Sequence, residues 1–275
     1  MPDATVHGQR LHYIRRGAGD PLLLIMGMSG NHLNWGEPLL SELERDFDVI
    51  AYDHRGTGRS ARLEGAISIV EMANDAAGLL EALDLECAHV LGISMGGMVA
   101  QELVLLHPQR VRTLALGCTY AGGPGSSLAR PEVLDRLAAG MRTGDLEAAV
   151  RTGFEINVSA AYAADPGHYE QFAETAMVLP TAVPVIMAQM QAIARHNTSA
   201  RLSLIAKPTL VVHGTEDQMV PVSNARLIAE AIPGARLEIM EGVGHLFFWE
   251  RPQRSAELMR ELTGSVTPSP APAVQ

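Results

Sequence analysis

Two cysteines, Cys87 and Cys118, and one lysine, Lys207, are all that this 275-residue chain has of either residue. Each cysteine lies in or beside an apolar, strand-like segment, which argues against a disulfide framework and for buried free thiols. Long hydrophobic runs are missing too, and no stretch approaches the length of a membrane span. Residues 1–20 lack the basic start and apolar centre of a secretory signal and are broken by Gly8, Gly17 and Gly19, so a soluble, cytoplasmic protein is expected. Positive charge is in deficit: 21 Lys and Arg stand against 31 Asp and Glu, a formal charge of -10 spread without long runs. That balance disfavours nucleic acid and anionic membrane as partners. No residue pattern supports a metal, and homo-oligomerisation is left open.

What the chain does have is a rhythm. Short apolar runs bounded by turn residues recur at 22–26, 49–52, 88–93, 111–116, 209–212 and 237–240, with helical periodicity at 67–83 and 95–107. Continuous apolar runs suit strands buried on both faces, and their alternation with helices predicts an α/β fold with a mostly parallel sheet. Ahead of them, 5–14 with Gly8 in the middle predicts a β-hairpin at a sheet edge. The rhythm stops after Cys118 at Ala121-Gly-Gly-Pro-Gly-Ser-Ser127 and resumes only beyond Pro208. Between them, 131–141, 146–154, 168–177 and 183–194 read as helices of an insertion. An insertion after the carboxyl end of a strand covers the edge where ligands bind, so it is expected to be a cap. The expected organisation is a core at 1–120 and 201–262, a helical cap at 121–200 and an irregular, proline-rich tail at 263–275. At this length, one elaborated domain is expected.

Gly92-Ile-Ser-Met-Gly96 sits between one of these apolar runs and a helix-forming stretch. A serine flanked by small residues can occupy a sharp strand-to-helix turn that lifts its hydroxyl clear of the fold, making Ser94 a candidate nucleophile. In this context the chain resembles the α/β-hydrolase fold family, from the first hairpin to about residue 262, with the cap matched weakly. The resemblance implies an eight-stranded-type sheet flanked by helices, a nucleophile elbow after the fifth strand, and no cofactor.

A serine hydroxyl is a weak nucleophile at neutral pH and needs a positioned base. Of the ten histidines, His245 lies in Gly242-Val-Gly-His-Leu-Phe-Phe-Trp-Glu-Arg-Pro252, resembling the family's Gly-His segment followed by Glu and Pro. His213, at the end of an apolar run, reads as a packed structural histidine, as do His54 and His107. The base in turn needs a carboxylate to hold its tautomer. Asp217, in Gly214-Thr-Glu-Asp-Gln-Met-Val-Pro221, resembles the family's Gly-x-x-Asp turn, with Glu216 as the nearby rival. The alternative position for the acid, at Cys118-Thr119-Tyr120, offers no carboxylate.

The family's oxyanion donors correspond to the backbone N–H groups of Met95 and Met28, whose side chains would add apolar surface to an acyl pocket. This chain carries Met26-Gly27 where the family usually has His-Gly. Asp53-His-Arg-Gly-Thr-Gly-Arg-Ser60 resembles a family loop, and without a P-loop lysine its glycines read as a structural turn rather than a phosphate cradle. Trp35, Phe247, Phe248 and Trp249 read as core, with substrate contact as the lesser alternative.

A serine at the elbow disfavours dehalogenase and epoxide-hydrolase chemistry, which use aspartate there, and Lys207 is badly placed for a hydroxynitrile lyase. The resemblance therefore implies a carboxylesterase-like serine hydrolase acting through an acyl-enzyme on a small to medium apolar or aromatic ester. A cofactor-free perhydrolase of the non-haem haloperoxidase type, an enol-lactonase and a polyketide methylesterase share the same triad and stay open. So do two readings of other classes, a slow-turnover hydrolase-fold receptor and a partner-binding descendant. Met177, Leu179, Val183, Ile186, Met187 and Met190 of the cap are expected to line the pocket.

Overall fold

The computed structural model describes residues 2–142 and 144–264. From 265 onward the expected tail lies outside the described residues, and Thr263 instead closes the last helix. The apolar runs become β1 (Asp3–Val6), β2 (Gln9–Arg16), β3 (Asp20–Ile25), β4 (Phe47–Tyr52), β5 (Ala88–Ile93), β6 (Val111–Gly117), β7 (Thr209–Gly214) and β8 (Arg236–Met240). They form one sheet in the order β1-β2-β4-β3-β5-β6-β7-β8. The hairpin β1-β2 is antiparallel and joins β4 antiparallel, and every later pairing is parallel.

Among the described residues the helices are α1 (Glu37–Leu43), α2 (Ile69–Ala82), α3 (Met95–Leu106), α4 (Pro131–Arg142), α5 (Leu146–Asn157), α6 (Ala160–Ala163), α7 (Pro166–Ala176), α8 (Val183–Arg195), α9 (Ser223–Ala231), α10 (Phe247–Glu250) and α11 (Pro252–Thr263). Local chemistry sets their ends. Ser68 accepts from the Glu71 N–H while the Glu71 side chain returns to the Ser68 N–H, a reciprocal cap that starts α2.

Successive side chains of a strand point to opposite faces, so each strand feeds two cores. Leu23, Ile25, Val90 and Leu114 pack with α2, α3 and α9 on one face. Leu22, Leu24, Leu91 and Ile93 pack with α1 and α11 on the other. Each such leucine is at most 3% exposed, a burial worth about 1.5–3 kcal/mol per side chain, and a charge at Leu24 would forfeit that and add the cost of burying itself. Strands β4, β5 and β7 are buried at every position, as central parallel strands must be.

The five helices α4 to α8 leave the sheet after β6 and return before β7. They keep a small core of their own in which Phe154 meets Tyr169 and Phe172 at ring separations of 5.6 and 5.3 Å. Among the described residues no helix is long and apolar enough to cross a membrane.

Candidate active site

Ser94 stands between β5 and α3 with φ 54° and ψ -123°, a region that costs a non-glycine residue about 1–3 kcal/mol. The surroundings over-determine it. Its N–H donates to the Gly117 carbonyl at 2.8 Å, and its carbonyl accepts from the Gly97 N–H at 2.9 Å and the Thr119 hydroxyl at 2.7 Å. Both flanking glycines are obligatory here: a Cβ on Gly96 would overlap the carbonyls of Ile25 and Met26, and one on Gly92 would overlap the carbonyl of Gly96. The turn delivers the serine to the amino end of α3, where the Met95 N–H has no intrahelical acceptor and the helix dipole favours negative charge.

His245 lies on the loop between β8 and α10 and is 5% exposed. Its Nδ1–H donates to Asp217 Oδ2 at 2.7 Å, which leaves Nε2 for the cavity that His245 and Ser94 both line. Asp217 sits just beyond β7 with no exposed side-chain surface, and its Oδ1 accepts from the N–H groups of Met219 and Val220, each at 2.8 Å. Burial pushes this carboxyl up, but the charge of His245 and hydrogen bonds from His213 and His245 outweigh it and hold it well below the usual carboxylate range. Glu216 faces away: its carboxylate accepts from the Ala160 N–H in the cap at 3.3 Å.

Sequence reasoning missed several contributors. His213 Nε2 stands 3.0 Å from Asp217 Oδ2 and 2.7 Å from the Val220 carbonyl, so this buried histidine is bound to the acid rather than merely packed. Cys118 Sγ lies within 4.8 Å of ligand atoms of Asp217 and His245, and burial, then the Asp217 charge, pushes its thiol up, so it stands there protonated. Glu250, the acidic residue in an otherwise aromatic run, is buried and accepts from the Gly244 N–H at 2.8 Å and the Ser159 N–H at 2.9 Å, and from the Ser159 hydroxyl. It thereby ties the histidine's loop to the cap. A charge inside Phe247-Phe248-Trp249-Glu250 was the available signal, since a carboxylate in such company must find donors.

The loop after β3 is laid against Ser94: a Cβ on Gly27 would fall 3.2 Å from the Ser94 Cβ. Where the family has His-Gly, the Met26 carbonyl is held by His54, whose Nε2–H donates to it at 3.0 Å. Burial pushes His54 below its ordinary value, so it serves as a neutral donor. Asp53 next to it is buried, with Oδ1 taken by the Nδ1 and backbone N–H of His32 and Oδ2 by the Arg59 N–H. His12, His32 and Asp53 bring ligand atoms within 4.8 Å of one another, but those hydrogen bonds already occupy both carboxylate oxygens and make the group a brace for two loops.

Ser94, His245 and Met28 line one cavity of about 450 Å³ between the sheet edge and the cap. Its walls are mainly apolar, with Ile93 and Phe248 below and Leu179, Val183 and Ile186 above. Two expectations need correction. Met177, Met187 and Met190 are 41, 49 and 41% exposed and are not among the lining residues, because they sit on the outer side of the turn or helix whose inner side carries Leu179 and Ile186. The Met95 side chain packs into the core beneath α2 and α3, so of the two methionines only Met28 adds surface to the cavity.

A serine turn of this kind at the carboxyl edge of an eight-stranded, mostly parallel sheet defines a class of fold, and the chain belongs to it: residues 20–252 match the alpha/beta hydrolase fold family. A protein of Azorhizobium caulinodans, provisionally named carbamate hydrolase RutD, is 34% identical over 97% of this chain and 99% of its own. Among solved structures, Est816, described as an N-acyl homoserine lactone degrading enzyme, is 32% identical with a TM-score of 0.77, covering 94% of this chain and 99% of that one. The enol-lactonase from Burkholderia xenovorans LB400 is 26% identical with a TM-score of 0.82, covering 96% of this chain and 100% of that one.

Proposed function

We propose that this chain is a serine hydrolase that cleaves carboxylic esters, cyclic esters included, through an acyl-enzyme. The observation that carries this reading is that Ser94, on its strained turn, and His245, already bonded to buried Asp217, line one cavity. In the proposed reaction Ser94 Oγ bonds to the ester carbonyl carbon as its proton passes to His245 Nε2, and Asp217 stabilises the imidazolium that forms. The electron pair displaced onto oxygen is received by the N–H groups of Met28 and Met95, with the α3 dipole behind them. Collapse breaks the carbon–oxygen bond, and the leaving alcohol takes the proton from His245. Water, deprotonated by the same histidine, then attacks the acyl carbon and frees the acid and Ser94. With a lactone, alcohol and acid stay in one molecule.

The apolar cavity walls favour a small to medium apolar or aromatic acyl group over a charged one. The names of the lactone-cleaving neighbours fit this reading, since a lactone is an internal ester. The name of the A. caulinodans relative favours a second substrate for the same machinery, a carbamate. The test is a panel of acyclic esters, lactones and carbamates run with wild type and Ser94→Ala, together with labelling by a serine-directed phosphonate. The expected result is one equivalent of label on wild type and none on the variant, with kcat/KM for the best substrate falling by roughly 10⁴-fold or more. Equal turnover by the two proteins would overturn the assignment.

A further inference from the structure

The turn that presents Met28 is not held by the core alone. Residues 27–30 form a tight turn closed by the Gly30 N–H to the Gly27 carbonyl at 3.3 Å. Its third residue, Ser29, has φ 61°, a left-handed conformation that turns normally assign to glycine. Two residues far along the chain grip Ser29 from both sides. Its N–H donates to Gln189 Oε1 in α8 at 2.8 Å, and its carbonyl accepts from the Thr181 hydroxyl, just before α8, at 2.7 Å. A third tether follows, from Asn31 Nδ2 to the Leu179 carbonyl at 3.1 Å.

A serine at this position has an alternative. If the turn relaxes so that Ser29 takes a negative φ, as in the commoner turn that non-glycine residues accept, the Met28–Ser29 peptide turns over and the Gly27–Met28 peptide, which carries the Met28 N–H, must readjust with it. Gln189 is 1% exposed, and its carbonyl oxygen accepts the N–H that only the observed orientation offers. Gly27 starts the same turn so close to Ser94 that a Cβ there would lie 3.2 Å from the Ser94 Cβ, so any change of turn shape is felt beside the proposed nucleophile.

We infer that Gln189 and Thr181 are positioning residues: seated on the cap, they hold Ser29 in its left-handed conformation and so aim the Met28 N–H, making transition-state stabilisation depend on the seating of the cap. The inference rests on the serine-hydrolase reading above. A donor that serves only the developing oxyanion changes kcat and leaves ground-state binding alone. Complete loss of one such donor lowers kcat by about 10²–10³-fold, so misaiming it should lower kcat by about tenfold.

Steady-state kinetics of Gln189→Leu, Thr181→Val and Thr181→Ser, each also in a Ser29→Gly background, test this with an ester that Ser94→Ala no longer turns over. Gln189→Leu and Thr181→Val should lower kcat about tenfold with KM within twofold, and slow phosphonate labelling in parallel. Thr181→Ser, which keeps the hydroxyl, should behave as wild type. Because glycine adopts φ 61° without strain, Ser29→Gly should restore most of the kcat lost in Gln189→Leu. A loss of the same size in both backgrounds, or no loss in Gln189→Leu and Thr181→Val, overturns the inference while leaving the hydrolase reading intact. Turnover surviving in Ser94→Ala removes both. If Gln189→Leu does not fold, the Thr181 pair and its Ser29→Gly combinations decide the matter.

Discussion

Asp217 is held from four directions: the N–H groups of Met219 and Val220 on one oxygen, and His245 and His213 against the other. His213 therefore draws off part of the negative charge that would otherwise act on His245. Replacing it by leucine would remove one of the hydrogen bonds that hold the Asp217 carboxylate in place against its partner. His213→Leu is then expected to lower kcat about threefold to tenfold, whereas His213→Gln, which keeps a donor near Nε2, should restore it. A kcat that His213→Gln lowers as far as His213→Leu does would reduce His213 to a packing residue. The turns that carry the candidates Ser94, Asp217 and His245 were legible from sequence because their glycines or prolines are written into the chain. His213 and Cys118 were not, because the direction of a strand-end side chain depends on neighbours from other strands.

Helix α8 shows what periodicity alone leaves open. Ile186, Gln189 and Ala192 are buried at three-residue spacing, while Met187 and Met190 are exposed, so apolar residues occupy both faces and sequence could not say which face looks inward. A step of one residue rotates a side chain about 100° around the axis, which carries Met187 away from the cavity that Ile186 lines. Ile186→Ala should therefore widen the pocket and shift preference along an acyl chain-length series by about tenfold toward longer esters. Met187→Ala and Met190→Ala should leave the series as it is. The opposite pattern would mean that the substrate lies on the outer face of α8. The elbow was easier to read, since the glycines that let β5 and α3 cross also spell the motif.

Over the whole molecule, the mostly parallel sheet followed from the alternation of apolar runs with helices, and the helical insertion from the gap between them. What joins the insertion to the core did not, because its hydrogen bonds and ring contacts, such as Phe172 on Trp249, pair residues up to 160 positions apart. Global stability should carry an acid signature of its own. Burial pushes both His89 and His196 down to about 4, against about 6.5 in an unfolded chain. A histidine with a depressed folded value binds its proton in the unfolded state first, so stability is full above about pH 6.5 and falls as pH drops toward 4. The loss is of order 3 kcal/mol at most for each. Melting temperature measured from pH 7 to pH 4.5 should decline across that window, and His89→Gln with His196→Gln should flatten it. An unchanged slope would assign the acid sensitivity to other groups.

Glu250 sets a rule for recombination. Its carboxylate is satisfied partly by Gly244 of the core and partly by Ser159 of the cap, so the two segments are matched to each other as lock and key. A cap transplanted from another family member as a bare cassette would strand this buried charge, and a viable chimera must bring its own serine to that junction.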